Sequence, residues 1–177
     1  MTDLIQHCRA SSGTLTLTHE ALDTQSCCSC CGIQGVSMSV SGQKFCTVCA
    51  PAYSLDEPDI DAVCALIWLP HIDQGFLSRL LRAAYAARYV STDPTPLQLS
   101  MASSASNLLI ELEKLRSSAK RMIGTDQVSS LRSVAPKIPQ YNLFLRLKRV
   151  SGLRILPLEP WFDLHGEDFK ELITFRE

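Results

Sequence analysis

Long apolar runs are missing from this sequence. The longest, AVCALIWLP at residues 62–70, is strand-sized and falls well short of the roughly 20 residues that span a bilayer. The opening MTDLIQHCRA has no basic stretch followed by an apolar one, so no secretory signal is expected. Neither sign of charge dominates: 17 Lys and Arg stand against 18 Asp and Glu, for a net charge of -1. That balance excludes a global basic field that would draw the chain to DNA or to an anionic membrane. Aromatics make up only 7% of the residues and do not interleave with the basic ones as a base-stacking platform would. The phosphate-cradling patterns G-x-x-x-x-G-K and G-x-G-x-x-G are absent, as is the nucleophile turn G-x-S-x-G. Histidine is scarce. His7, His19, His71 and His165 are the four in the chain, and none lies between residues 20 and 70.

Cysteine is what the chain has in excess. Six of its eight cysteines fall in CCSCCGIQGVSMSVSGQKFCTVC, from Cys27 to Cys49. A chain without a secretory signal is expected in the reducing cytosol, where clustered cysteines more often mean metal or catalysis than disulfides. Two overlapping C-x-x-C frames open the stretch, Cys27/Cys30 and Cys28/Cys31, and Cys46/Cys49 closes it. Two such pairs are the ligand set of a tetrahedral four-thiolate zinc site. The residue after the second cysteine of such a turn often needs positive φ, which glycine adopts at little cost. Gly32 follows Cys31, whereas Cys30 is followed by another cysteine. The expected ligands are therefore Cys28, Cys31, Cys46 and Cys49, with Cys27 and Cys30 as alternates, holding one structural zinc. A catalytic zinc keeps a position open for water, and four thiolates leave none. A redox dithiol and a disulfide are the competing readings. Cys8 and Cys64 read as small buried hydrophobes.

The remaining pattern predicts an α+β fold: a small zinc-bound hairpin followed by a mostly helical body. Val36, Met38 and Val40 alternate with serines ahead of the SGQK turn at 41–44. GTLTLTH at 13–19 alternates as a half-buried strand does, and CALIWL at 64–69 fits a strand buried on both faces. Asp73 is placed to cap a helix over 74–89, with Phe76, Leu77, Leu80, Leu81, Ala84 and Tyr85 on one face. A second helix is expected over 97–123, stopped by Gly124. Short helices are expected at TDQVSSLRSV (125–134), over QYNLFLRLKRV (140–150) and over HGEDFKELITF (165–175), with LRILPL as a last strand. The organisation predicted is residues 1–53 as strand and zinc-knuckle module, 54–63 as an acidic linker, and 64–177 as strand plus helical body, together one compact domain. Lys114, Arg116, Lys120 and Arg121 read as a solvated helix face. Arg146, Lys148, Arg149 and Arg154 are the residues for any nucleic-acid contact.

The order CCSCCG, FCTVCA, ALIWLPHIDQGFLSRLL, ASNLLIELEKLRS and LRILP resembles the IcmJ (DotN) proteins of type IVB, Dot/Icm-like, secretion and conjugation systems. The specific elements are the two knuckles and the apolar strand ending in Leu69-Pro70, followed by Asp73-Gln74 and a leucine-rich helix. The resemblance implies a degenerate HNH-like zinc fold without catalysis. It implies an adaptor subunit of a type IV coupling complex that recruits substrates for export, bound to a coupling ATPase. Location would be cytoplasmic, peripheral to the inner membrane through that complex. An HNH site would place its catalytic histidine near the knuckles, where this chain has none. The alternatives are a nucleic-acid-binding zinc module, such as a small subunit of a CRISPR-type effector, and an HNH-type nuclease. Trp161 and Phe162, beside Pro160 near the chain end, are the expected partner-binding residues; the apolar stripe from Leu97 to Met122 reads first as core and otherwise as a second surface.

Overall fold

A tight turn of Ser41 and Gly42 sets the geometry of the N-terminal half. Both residues have positive φ, 51° and 78°, the twist-matched conformation of a two-residue hairpin. It joins β2 (Gln34–Val40) to β3 (Gln43–Phe45), with Met38 opposite Phe45. A longer strand, β1 (Thr18–Cys27), pairs antiparallel with the other edge of β2. The computed structural model describes residues 4, 14–89, 94–137, 139 and 151–174.

The expected strand at 13–19 is displaced. The strand begins at Thr18 and runs on to Cys27, while 14–17 lie outside it. The Leu15 amide donates to Asp56 Oδ2 at 2.8 Å and the Leu17 amide donates to Glu57 Oε1. Carboxylates of the 54–63 stretch thus take the amides that a ladder would have used. β1 itself is irregular. From His19 to Asp23, and again from Asp23 to Cys27, it advances four residues while β2 advances two. Bulges of this kind abolish period-two alternation, so no hydrophobic pattern marks this strand. Asp23 holds the irregular stretch: it accepts from the Gln25 and Ser26 amides, at 3.0 and 3.2 Å, and from Lys44 Nζ of β3 at 2.9 Å.

The second half is built on β4 (Cys64–Trp68), paired antiparallel with β5 (Leu153–Pro157). Cys64 through Ile67 are buried, as a strand covered on both faces requires. The α2 helix (Gln74–Arg88) follows a four-residue α1 (Ile60–Val63), and Asp73 caps it by accepting from the Phe76 amide at 2.7 Å. Gln74 closes the free edge of β5: its side-chain amide donates to Ile155 O and accepts from Ile155 N, at 2.8 and 2.9 Å. The helix expected over 97–123 is two. A capping box at Thr95 starts α3 (Pro96–Lys114), Leu115 interrupts, and α4 (Arg116–Ile123) ends at Gly124 with φ 88°. Leu115 O accepts from the Trp68 amide at 3.5 Å, which ties this break to β4. Then come α5 (Val128–Val134), α6 (Glu159–Leu164) and α7 (Gly166–Thr174). The fold is α+β, with an N-terminal hairpin and a mainly helical body. The helix expected at 140–150, with Arg146, Lys148 and Arg149, and the cysteine at position 8 lie outside the described residues.

The acidic stretch 54–63 is not a free connection. Ser54, Leu55, Ile60 and Val63 are buried. Asp56 binds Arg132 through two contacts, at 2.9 and 3.1 Å, and Asp61 accepts from the Ser129 amide at 3.1 Å. The stretch therefore fastens the N-terminal segment to α5. Buried residues from Leu15 to Leu172 form one continuous core that includes the cysteines.

Trp161 and Phe162 belong to that core and are not an exposed surface. Each is 3% exposed. Phe162 stacks on Tyr85 with ring centroids 3.8 Å apart and meets Phe169 edge-on at 5.1 Å. Their position near the chain end misleads because α7 folds back over them. The stripe from Leu97 to Met122 divides: Ala105, Leu112 and Ala119 are buried, whereas Leu97 and Met101 are exposed.

Candidate metal centre

Each C-x-x-C turn sits at the end of a strand, where the ladder stops and amides become free to bind sulfur or fold back. Cys27 is the last residue of β1, and the chain then turns through Cys28–Cys31. The turn closes by Gly32 N donating to Cys28 O and Cys28 N donating to Ile33 O, both at 2.9 Å. Gly32 has φ 74°, which a side chain would strain. The second turn follows β3 directly: Cys49 N and Ala50 N both donate to Cys46 O at 3.0 Å, leading into a 3-10 turn at Ala50–Ala52.

The four sulfurs of Cys28, Cys31, Cys46 and Cys49 lie within 4.8 Å of one another, and all four residues are buried. Cys31 Sγ and Cys46 Sγ are 3.9 Å apart. A tetrahedron with metal–sulfur bonds of about 2.3 Å has edges of about 3.8 Å, so the spacing is that of a shared ion and far from that of a disulfide. The Cys46 amide points at Cys28 Sγ at 3.4 Å, a contact that stabilises a thiolate. Cys27 is exposed and Cys30 half-buried, and neither joins the group. The group can hold one metal ion.

Its electrostatics favour a cation. Hydrogen bonds from Cys31, then Cys46 and Cys49, hold the Cys28 thiol far below its ordinary pKa. Cys28 and Cys31 in turn push Cys46 up, and burial pushes Cys49 up. The thiols of the first turn, Cys28 and Cys31, are thus held low while those of the second, Cys46 and Cys49, are pushed up, since a buried cluster of negative charge is costly. A divalent ion replaces the retained protons and removes that conflict.

The helical body grips both turns. Arg79 of α2 donates from Nη1 to Cys31 O at 2.9 Å, and a Cβ on Gly75 would lie 2.5 Å from Cys30 O. On the other side the Trp161 indole donates to Thr47 O at 2.9 Å, and Phe45 stacks on Tyr53 at 4.3 Å. Burial first, then the charge of Cys30, pushes the Tyr53 hydroxyl upward. Sequence spacing alone singles out the cysteines. It does not single out Gly75, Arg79 and Trp161, because they are brought to the turns only by tertiary packing. The same holds for a second group, His19, His165 and Asp168. Its one sequence signal is the three-residue spacing of His165 and Asp168 in a helical pattern.

Of the basic residues expected for nucleic acid, Arg154 is described. Its guanidinium donates to Ile72 O, Ser151 O and Leu153 O, at 2.7, 2.8 and 2.6 Å. Arg116 and Lys120 are drawn to the buried Asp126, at 2.9 and 3.3 Å. No helix among the described residues is long and apolar enough to cross a membrane. No family model matches the chain, and no curated protein matches it.

Proposed function

We propose that this protein is a non-enzymatic, zinc-stabilised adaptor subunit of a type IV coupling complex that recruits substrates for secretion or conjugation. The non-enzymatic part rests on the resemblance, and the closure of the cysteine group supports it at that centre alone. Four buried sulfurs complete a tetrahedron, and such a site leaves no position for substrate or water. Zinc is the ion because four thiolates in tetrahedral array suit it best among abundant divalent metals. The adaptor role rests on the resemblance to the IcmJ (DotN) proteins. It is supported by exposed apolar side chains on α3, where Leu97 and Met101, one turn apart on the same face, are each more than half exposed. Such a patch marks an interaction surface, and a protein partner, the coupling ATPase, is its occupant in this reading.

The test is tagged, full-length protein expressed at native level in its own cells and captured with its complexes. The expected result is a coupling ATPase of a type IV system in the captured set, lost when Leu97 and Met101 are replaced by serine. Capture without such an ATPase overturns the adaptor reading. Nicking of plasmid DNA by the purified protein with magnesium or manganese, removed by a point change in the chain, overturns the non-enzymatic one.

A further inference from the structure

His19, His165 and Asp168 meet on the side of the molecule where β1 passes the start of α7. His19 comes from β1, His165 precedes α7, and Asp168 lies three residues later on the same helical face. Their ligand atoms all fall within 4.8 Å of one another. Asp168 Oδ2 is 3.7 Å from His19 Nδ1 and 4.0 Å from His165 Nδ1.

Those distances are too long for hydrogen bonds, which want about 2.7–3.2 Å. They are close to the edges of a coordination polyhedron instead. Bonds of about 2.0–2.2 Å to nitrogen and oxygen give tetrahedral edges of about 3.3–3.6 Å. Side-chain rotations of a few tenths of an ångström close the difference.

The surroundings suit an ion that enters from water. The side chain of His165 is 15% exposed, Asp168 36% and His19 54%, so the group has one buried wall and one open one. The wall is preset. The His165 ring packs on Trp161 with centroids 4.1 Å apart, and Trp161 is itself fixed by its bond to Thr47 O. The two imidazoles face each other at 5.1 Å. A histidine–aspartate ion pair is the competing explanation. Both distances to Asp168 are within ion-pair range, and metal titration separates the two.

We infer that His19, His165 and Asp168 form a second, solvent-accessible site for a divalent transition metal ion, distinct from the four-cysteine centre. Two imidazoles and one carboxylate are the donor set of zinc, cobalt and nickel, and poorly suit calcium or magnesium. Three protein ligands leave coordination positions open to water or to an oxygen donor from outside. The ion links β1 to α7, so it latches the N-terminal sheet to the C-terminal end of the fold.

The test is calorimetric titration of full-length protein, its cysteine site already filled with zinc, using Zn2+ and then Co2+. The expected result is one further ion per chain. Cobalt in that position should show no sulfur-to-metal charge-transfer band. His19→Ala should weaken this second binding by more than about tenfold, since even an outer-shell partner is worth 10–100-fold. The Cys27→Ser, Cys30→Ser double variant should bind the second ion as the unaltered protein does. Should His19→Ala fail to retain its first zinc, Asp168→Asn carries the same expectation. The inference is overturned by the absence of a second ion, by its survival in both ligand variants, or by its loss in the cysteine double variant.

Discussion

The indole of Trp161 donates to the backbone carbonyl of Thr47 across 114 residues of chain, in a buried 2.9 Å bond. Thr47 lies between Cys46 and Cys49, so the C-terminal helices hold the second metal turn directly. Trp161→Phe keeps the ring volume roughly but leaves that carbonyl unpaired. It should cost about 1–3 kcal/mol of stability. Trp161→Ala should cost about 3–5 kcal/mol. Urea unfolding of the two variants checks both. A Trp161→Ala protein as stable as the unaltered one would return this residue to a surface role.

The two cysteine frames should separate cleanly by metal content. Elemental analysis at limiting metal should find one zinc per chain. Cys28→Ser or Cys46→Ser should abolish its retention and expose the β2–β3 hairpin to protease, because the binding energy of such a site is folding energy. Cys27→Ser and Cys30→Ser should each keep the zinc. A dependence on Cys27 or Cys30 would move the centre to the other frame.

Gly75 marks the closest approach of α2 to the first turn. A methyl group there would sit 2.5 Å from Cys30 O, against backbone that cannot rotate away. Gly75→Ala removes a flexible residue from a helix, which alone is stabilising by about 0.5–1 kcal/mol. The clash should reverse the sign and give a net loss of about 1–3 kcal/mol. A rise in melting temperature would show that helix and turn can separate freely.

Acid should act through Asp56. The hydrogen bonds from Arg132, against the opposing effect of burial, hold its carboxyl below the usual value. A depressed carboxyl contributes stability above its unfolded pKa of about 3.9, and that contribution fades as pH falls through the lower folded value. Asp56→Asn should therefore be less stable by about 1–3 kcal/mol near neutrality. The gap to the unaltered protein should stay constant down to about pH 4.5 and close below it, as the ordinary carboxylate pKa dictates. Melting curves of both proteins across this range are the check. Loss of metal in acid affects both alike and leaves the difference readable. A gap that widens in acid would contradict the assignment.

What could be read in the sequence was local. The spacing of two C-x-x-C pairs and Gly32 after Cys31 pick out Cys28, Cys31, Cys46 and Cys49, since a short turn positions its own sulfurs without help from the rest of the chain. Asp73 as a cap, Gly124 as a stop and the double-sided burial of Cys64–Ile67 are legible for the same reason: each depends on neighbours a few residues away. Where a rule of local pattern was overruled, a distant partner did it. β1 escapes notice because its bulges erase alternation, and it is a strand only because β2 pairs with it. Leu15 and Leu17 look like strand residues, yet their amides go to Asp56 and Glu57. Acidic residues 54–63 look like a linker until Arg132 and Ser129 arrive from α5.

The sequence by itself favoured the four cysteines that cluster and determined most of the helix and strand inventory, because capping, turn and periodicity energies act over a few residues. Only the tertiary structure decided that Trp161 and Phe162 are core, that Gly75 and Arg79 press on the first turn, and that His19 stands beside His165 and Asp168. These are contacts between residues 45 to 149 positions apart. No local propensity encodes them. They follow from burying one continuous apolar core, and that requirement sets which faces meet.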